Sequence, residues 1–220
     1  MTRLDFNQAL HSATRRDYVE RVVSHDKADC AEVAKRFGAD YWDGDRCYGY
    51  GGYRYDGRWR PIAARMAAHY GLKPGDRVLD VGCGKGYLLH ELAQVIPGLE
   101  IAGLDISGYA IGNAKPEVRP FLQAGTATTL PFEVDSFDFV VSLGTLHNLP
   151  LPDLFKAFAE IERVGRGGKY VMVESYRNER EKMNLLYWQL TCESFHDPDS
   201  WEWIARQSGY TGDTGFIYFE

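Results

Sequence analysis

A glycine-rich turn between an apolar strand and an amphipathic helix constrains the fold of this chain more than any other feature. The turn follows the apolar segment Arg77–Val81, precedes the helical pattern of Tyr87–Val95, and holds Gly82, Gly84 and Gly86. Glycine is needed where φ must be positive, or where a side chain would keep the backbone away from a ligand. The first N–H groups of the helix point at whatever lies over the turn. The segment therefore predicts a strand, a ligand-binding turn and a helix in direct succession.

Strand and helix patterns alternate along the chain after residue 60. The further predicted strands are Glu100–Asp105 and residues 120–123, 137–142, 169–175 and 216–219. The predicted helices are residues 62–70, Tyr87–Val95, residues 109–115, Leu151–Val164 and Pro198–Gln207. Residues 177–192 stay open between helix and strand because their LLYWQLT run fits both. This alternation predicts an α/β fold, with a doubly wound, mostly parallel sheet in a three-layer α/β/α arrangement.

The first 60 residues differ from the rest of the chain. Helical spacing is found in residues 13–24 and 27–37, whereas residues 40–60 have no periodicity and are rich in glycine, tyrosine and tryptophan. We predict that residues 1–60 form a helical, aromatic-rich cover on a domain formed by residues 61–220. Glycine-rich lids of this kind must move. A packed loop anchored by Trp42 and Trp59 is the alternative.

The composition excludes several classes of function. A net charge of −6 argues against a sequence-independent grip on nucleic acid. The four cysteines form no C-x-x-C pair, which predicts reduced thiols and no metal site. No signal peptide is evident, and no apolar run approaches the roughly 20 residues that span a bilayer. We therefore predict a cytoplasmic protein without a nucleic-acid or membrane partner.

An acid closes the predicted strand that follows the turn. Asp105 lies about 20 residues after Gly86, the offset at which an acid holds the ribose hydroxyls in dinucleotide folds. A glycine triplet alone fits a purely structural turn, but the triplet and the acid together favour a nucleoside ligand. A nicotinamide dinucleotide is disfavoured, because the third glycine of its G-x-G-x-x-G motif falls one residue later.

These residues resemble the first motif of class I S-adenosylmethionine (SAM)-dependent methyltransferases, an acid-x-G-x-G-x-G element. Asp80 and the three glycines match that motif, Asp105 matches the ribose-binding acid, and SFDFVVSLGTLHNL resembles the fourth-strand motif. The resemblance covers residues 70–175 and implies a Rossmann-like domain that binds SAM and releases S-adenosylhomocysteine. The family sheet usually closes with an antiparallel hairpin, whereas only one strand is predicted here before Glu220.

The resemblance also implies roles for single residues. Gly82 and Leu143 would lie against the methionine moiety through their backbones, and Ile106 would pack on the adenine. Thr126 stands where the family often has an acid or amide for the adenine amino group, and its hydroxyl can still take part. The implied cofactor site comprises Asp80, Gly82, Cys83, Gly84, Gly86, Asp105, Ile106, Thr126, Ala127 and Leu143.

Residues beyond the carboxyl ends of strands four and five are the candidates for chemistry, because ligands bind at that edge of an open α/β sheet. His147 is the candidate base, since an unperturbed imidazole titrates near neutrality; alternatively, it only caps or packs against the next helix. Glu174 orients an acceptor hydroxyl or amine, or pairs with Arg177. The predicted acceptor-binding residues are Tyr48, Tyr50, Tyr53, Arg54, Asn148, Tyr176 and Arg177.

The sequence thus predicts a SAM-dependent methyltransferase that methylates an O or N atom of a small molecule. The arginines and tyrosines favour an acceptor with a carboxylate, a phosphate or a sugar. More loosely, the chain resembles methyltransferases encoded with bacterial surface-sugar or natural-product enzymes. A catalytically silent SAM-binding domain and a methyltransferase acting on a macromolecule are the alternatives. The acceptor, the methylated atom and a homodimeric state stay open.

Overall fold

Six strands form one parallel sheet at the centre of the molecule. The computed structural model describes residues 1–7 and 16–220. The strands run in the order β3-β2-β1-β4-β5-β6, and each neighbouring pair is parallel. They are β1 (Arg77–Val81), β2 (Glu100–Asp105), β3 (Leu122–Ala124), β4 (Phe137–Leu143), β5 (Gly165–Glu174) and β6 (Asp213–Ile217). The strand order reverses between β1 and β4, which opens the crevice where ligands bind in doubly wound sheets. The predicted fold class is confirmed.

Helices cover both faces of the sheet. The helices are α1 (Tyr18–Val23), α2 (Lys27–Ala34), α3 (Ala39–Asp43), α4 (Arg60–Tyr70), α5 (Tyr87–Val95), α6 (Gly108–Gly112), α7 (Leu151–Val164), α8 (Glu179–Trp188) and α9 (Pro198–Gln207). Successive strand residues point to opposite faces. Accordingly, Leu79 packs with residues of α7 and α9, whereas its neighbour Val78 packs with residues of α4 and α5.

Several element bounds differ from the prediction. Helix α2 ends at Ala34 rather than at residue 37, because Phe37 has a positive φ of 48° that a helix cannot continue. A short helix, α3, interrupts the segment 40–60, which has no helical periodicity in its sequence. The final strand begins at Asp213, three positions before the predicted start. Residues 13–15 of the first predicted helix lie outside the described residues.

The ambiguous segment 177–192 is helical over α8, and its last residues are irregular. No seventh strand joins the sheet within residues 1–7 and 16–220. Instead, Arg3 forms a parallel bridge with Thr214 of β6, supported by a 2.8 Å hydrogen bond from the Leu4 N–H to the Thr214 carbonyl. Across the same residues, no helix has the length and apolar character needed to cross a membrane.

Candidate functional site

The turn after β1 has a backbone that only glycine accommodates. Gly82 and Gly84 have φ values of 84° and 54°. A Cβ atom on Gly82 would lie 1.9 Å from the Thr145 hydroxyl oxygen, and one on Gly84 would lie 2.7 Å from the indole of Trp42. The turn is therefore in close contact with the loop after β4 on one side and with α3 on the other.

Asp105 fastens this turn to the end of β2. Its Oδ2 accepts a 2.7 Å hydrogen bond from the Gly84 N–H, and its Oδ1 accepts one of 2.7 Å from the Ser107 N–H. Burial raises the pKa of the Asp105 carboxyl, and the two backbone hydrogen bonds offset part of this effect. A carboxylate has about four lone-pair sites, so both oxygens retain room for further donors. The adjacent Ile106 leaves 65% of its surface exposed.

A cavity of about 440 Å³ extends from the glycine turn to the carboxyl end of β5. This volume lies within the range of roughly 300–1,000 Å³ that small-molecule sites occupy. Part of its wall comes from the ends of β1, β4 and β5 and the loops that follow them. The rest comes from the N-terminal segment, the start of α5, the end of α8 with the residues that follow it, and the C-terminal residues Ile217 and Phe219. Its lining includes Asp80, Gly82, Cys83, Gly84, Leu143, His147, Glu174, Tyr41, Trp42, Tyr50, Tyr53, Arg54, Arg16, Arg21, Arg46, Trp188 and Gln189.

Asp80 contributes a buried carboxyl group to this cavity. Burial, together with the charge of Asp105, raises the pKa of Asp80 to about 8. No side chain or N–H group among the described residues donates a hydrogen bond to it. A buried carboxylate without a partner is unfavourable, so a positively charged ligand group beside Asp80 would stabilise both partners.

His147 and Glu174 form a buried pair in the part of the cavity wall that follows β4 and ends β5. The imidazole Nε2 lies 3.5 Å from Glu174 Oε2, and the Glu174 N–H lies 3.4 Å from His147 Nδ1. Because Nδ1 faces a donor, the neutral imidazole carries its proton on Nε2 and directs it towards the carboxyl group. Gln189 donates a hydrogen bond through Nε2 to Glu174 Oε1.

Burial shifts the pKa values of this pair in opposite directions. It lowers the pKa of His147 to about 3 and raises the pKa of Glu174 to about 8. The imidazole is therefore neutral at physiological pH. The expectation that His147 titrates near neutrality is not met, since complete burial disfavours the imidazolium ion. Glu174 is instead the group of the pair with a pKa close to neutrality.

Helix α3 and the loop after it lie directly on the glycine turn. Lys85 Nζ is 2.7 Å from both carboxylate oxygens of Asp43, and it donates to the Tyr53 carbonyl at 2.9 Å. The indole N–H of Trp42 donates to the Ser107 hydroxyl at 2.9 Å. Tyr53 stacks on Tyr87, the first residue of α5, with ring centroids 5.1 Å apart. These contacts hold the aromatic segment against the cavity.

The structure separates the predicted cofactor residues into two groups. Asp80, Gly82, Cys83, Gly84 and Leu143 line the cavity. The remaining residues lie outside its lining, around the ends of β2 and β3 and at the start of α5. They are Gly86, Asp105, Ile106, Thr126 and Ala127.

The predicted acceptor residues are similarly divided. Tyr50, Tyr53 and Arg54 line the cavity. Four others do not. Arg177 pairs with Glu181 at 2.6 Å and with Glu220 at 2.5 Å. Tyr48 packs beside Cys30 and Leu190, and Tyr176 lies under the Lys182 ammonium. Asn148 Nδ2 donates a hydrogen bond to the Gly144 carbonyl. Arg177 also leaves Glu174 without the predicted ion-pair partner, because its guanidinium is already neutralised.

Sequence reasoning missed a group of lining residues that come from distant parts of the chain. Arg16, Arg21 and Arg46 surround the ring of Trp188. The spacing of the three arginines follows no motif. Trp188 was not predicted as a lining residue because residues 177–192 could be either helix or strand. The described residues contain no cluster of three or more His, Cys, Asp or Glu side chains that could hold a metal ion.

Comparison with known proteins gives the family. A family model described as a methyltransferase domain matches residues 72–209. The chain is 33% identical, over 54% of its length and 50% of the relative's, to a demethylmenaquinone methyltransferase of Symbiobacterium thermophilum. It is 35% identical, over 63% of its length and 65% of the relative's, to an uncharacterized methyltransferase of Synechocystis. The chain thus spans about one half to two thirds of these curated relatives.

A solved structure, the YcgJ protein of Bacillus subtilis, superposes with a TM-score of 0.53 and 21% identity over 66% of each chain. At this level of identity the likeness concerns the fold alone. A parallel sheet with a glycine turn after β1 and an acid at the end of β2 defines a Rossmann-like nucleoside-binding domain. The family match, which covers more than half of the residues, then identifies the chain: it belongs to the methyltransferase domain family, among the class I SAM-dependent methyltransferases.

Proposed function

We propose that this chain transfers a methyl group from SAM to an oxygen or nitrogen atom of a small molecule, with Glu174 as the proton acceptor. The observation that carries the proposal is a single cavity that joins the glycine turn to the buried pair of Glu174 and His147. SAM, when bound, supplies a methyl group on a positively charged sulfur. The acceptor would then lie between that methyl group and Glu174.

The residues present fit SAM. Asp80 has no partner in the described residues and would accept hydrogen bonds from the amino group of the methionine moiety. Asp105 retains lone pairs for the ribose hydroxyls, and the exposed Ile106 offers an apolar surface to the adenine. Thr126 and Ala127 complete the adenine side, where the Thr126 hydroxyl lies 2.9 Å from that of Thr128.

Glu174 has the properties of a general base for an acceptor hydroxyl or amine. Its pKa of about 8 lies near neutrality, so a fraction of the group is ionised at physiological pH and this ionised form binds a proton well. Oε2 is buried and has no hydrogen-bond partner among the described residues, so it is available to an acceptor. Gln189 acts as a positioning residue, because it donates a hydrogen bond to Oε1. The Nε2 atom of His147 lies 3.5 Å from Oε2 without a hydrogen bond to it, so His147 limits the space around the carboxyl group.

The N-terminal segment, residues 1–60, acts in this proposal as a cover over the reacting groups. Trp42 lies against Gly84, while Tyr50, Tyr53 and Arg54 line the cavity from the same side. Exclusion of water strengthens the electrostatic interactions within a site and prevents hydrolysis. Since the Trp42 indole lies against the turn, we infer that the cover opens to admit SAM.

The acceptor is a small molecule in this proposal because the cavity has a volume of about 440 Å³ and the N-terminal segment and the end of α8 form part of its wall. The name of the relative from Symbiobacterium thermophilum, a demethylmenaquinone methyltransferase, also denotes a small-molecule acceptor and supports this size class. A macromolecular acceptor would need an open route to Glu174.

A labelled-methyl assay tests the proposal. Purified protein is incubated with methyl-labelled SAM and with panels of alcohols, phenols, amines and acids, and the label is followed into the products. We expect transfer to an acceptor with a hydroxyl or amine, and a loss of about 10²- to 10⁴-fold in rate for Glu174→Gln. Glu179→Gln, an exposed position on α8, is the matched control and should retain the rate. SAM binding without transfer to any panel would instead favour the catalytically silent domain.

A further inference from the structure

Three arginines surround one tryptophan ring in the wall of the cavity. The guanidinium carbons of Arg16, Arg21 and Arg46 lie 5.5, 5.3 and 5.1 Å from the ring centroid of Trp188. All four side chains line the cavity that contains Glu174. A position over the face of an aromatic ring favours each cation. Parts of the chain that are distant in sequence thus concentrate positive charge at one place.

Two of these arginines have no carboxylate partner among the described residues. Arg21 donates to the carbonyl of Arg46 at 2.7 Å and to that of Trp188 at 3.4 Å, while Arg46 donates to the carbonyl of Gly49. Most of their N–H donors are therefore left for a ligand. Eight other arginines within residues 1–7 and 16–220 do pair with carboxylates, namely Arg3, Arg58, Arg60, Arg77, Arg163, Arg166, Arg177 and Arg206.

Like charges held close together repel one another, and an anion between them removes this repulsion. Burial lowers the pKa of Arg16, Arg21 and Arg46, and the charge of Arg46 lowers the pKa of Arg21 further. Glu174 is the nearby acid that the charge of Arg16 influences, but it belongs to the reacting pair. An oxyanion bound between Arg21 and Arg46 would offset the repulsion.

We propose that this arginine cluster binds a phosphate group carried by the methyl acceptor. The proposal rests on the proposed function, since the cluster lines the same cavity as Glu174. More than one cation at one place matches a dianion better than a singly charged carboxylate, and guanidinium groups match the geometry of phosphate oxygens. Gln189, next to Trp188, contacts Glu174, so the phosphate and the atom to be methylated would be separated by a short linker.

Calorimetric titration with simple anions tests this assignment without knowledge of the acceptor. Inorganic phosphate and acetate are titrated into the wild-type protein, with and without saturating S-adenosylhomocysteine, and into Arg21→Gln and Arg46→Gln. Arg180→Gln is the matched control, because Arg180 is exposed on α8 and removes the same charge. We expect each cluster variant to weaken phosphate binding at least about tenfold and the control to leave it unchanged. Acetate should bind at least about tenfold more weakly than phosphate.

Equal phosphate affinity in all four proteins would show that the arginine cluster is not the phosphate site. Acetate binding as tight as phosphate binding would show that the cluster does not prefer a phosphate group. If a glutamine variant does not fold, Arg21→Lys or Arg46→Lys replaces it; these variants keep the charge but lose the forked donor geometry, so an unchanged affinity counts against the proposal. Titration of SAM into the same preparations separates the two proposals. Failure to bind SAM contradicts the proposed function alone, whereas SAM binding without phosphate binding overturns the cluster alone.

Discussion

The imidazole Nε2 of His147 lies 3.5 Å from Oε2 of Glu174, and burial favours the neutral form of both groups. His147 follows β4 and Glu174 ends β5, two neighbouring parallel strands whose carboxyl ends open into the cavity. The pairing thus arises from the sheet topology, and it leaves the carboxyl group, rather than the imidazole, as the group that titrates near neutrality. This arrangement and the glycine turn of the same cavity lead to the following predictions.

Glu174→Gln should change how stability depends on pH. The pKa of Glu174 is about 8 in the folded protein, against about 4.3 in an unfolded chain. Between these values the folded state holds a proton that the unfolded state has lost, so the free energy of unfolding falls as the pH rises. The variant lacks this contribution. Its stability relative to wild type should increase from pH 5 to pH 8, by on the order of a few kcal/mol at most. Denaturant unfolding across this range measures the difference, and Glu179→Gln serves as the control; parallel curves for wild type and Glu174→Gln would contradict the raised pKa.

Asp105 should contribute to cofactor binding beyond its structural role. Asp105→Ala removes the acceptor of the Gly84 and Ser107 N–H groups together with the proposed ribose contacts, and we expect it to weaken SAM binding by about 1.5–3 kcal/mol. Asp105→Asn keeps one acceptor oxygen and should lose less. Calorimetry with SAM gives both values, and thermal unfolding shows whether the turn remains folded. Wild-type affinity in the folded alanine variant would remove Asp105 from the cofactor site.

Alanine substitutions at Gly82 and Gly75 should distinguish the cost of backbone strain from the cost of a steric clash. Both have positive φ, 84° and 88°, but a Cβ on Gly82 meets Thr145 at 1.9 Å, whereas nothing lies within 4 Å of one on Gly75. Gly75→Ala should cost only the conformational strain, about 1–2 kcal/mol. Gly82→Ala should cost more and displace the loop after β4. Denaturant unfolding of the two variants measures both losses in the free energy of unfolding. Equal losses would show that the turn accommodates a side chain at Gly82.

The ion pair between Asp43 and Lys85 should hold the proposed cover closed. Lys85 is buried, so Asp43→Asn leaves its charge with the Tyr53 carbonyl as the remaining partner. We expect the loop after α3, which contains Arg46, to become more accessible to trypsin. Asp40→Asn changes an exposed acid of the same helix and is the control. Equal cleavage rates for wild type and Asp43→Asn would show that the ion pair does not restrain the cover.

Local patterns sufficed to predict the centre of this fold. Three local features were enough: the apolar run of β1, the glycines of the turn and the acid that ends β2. Burial determines the strand conformation, and positive φ values determine the conformation of the turn. The structure gives these elements the predicted bounds. Helix α3 escaped prediction because it has only five residues and its capping position, Gly38, makes no side-chain cap bond.

The acceptor side of the cavity depends on contacts that no local pattern encodes. Arg16, Arg46 and Trp188 meet only because the N-terminal segment folds over the end of α8. Arg177 shows the reverse case, since the residue type fits an anion site but Glu181 and Glu220 neutralise its charge. Likewise, His147 has the right position for a base, but its burial, which the sequence does not reveal, removes it from the neutral range of pKa.

Calorimetric titration of SAM into the wild-type protein tests the central claim most directly. The proposed site combines the cavity, where Asp80 would bind the amino group, with Asp105, which lies outside the cavity lining but is bonded to Gly84 and would bind the ribose. We therefore expect one SAM molecule to bind per chain, and S-adenosylhomocysteine to compete for the same site. Absence of binding at millimolar SAM, in protein shown to be folded, would contradict the assignment of the cavity to methyl transfer.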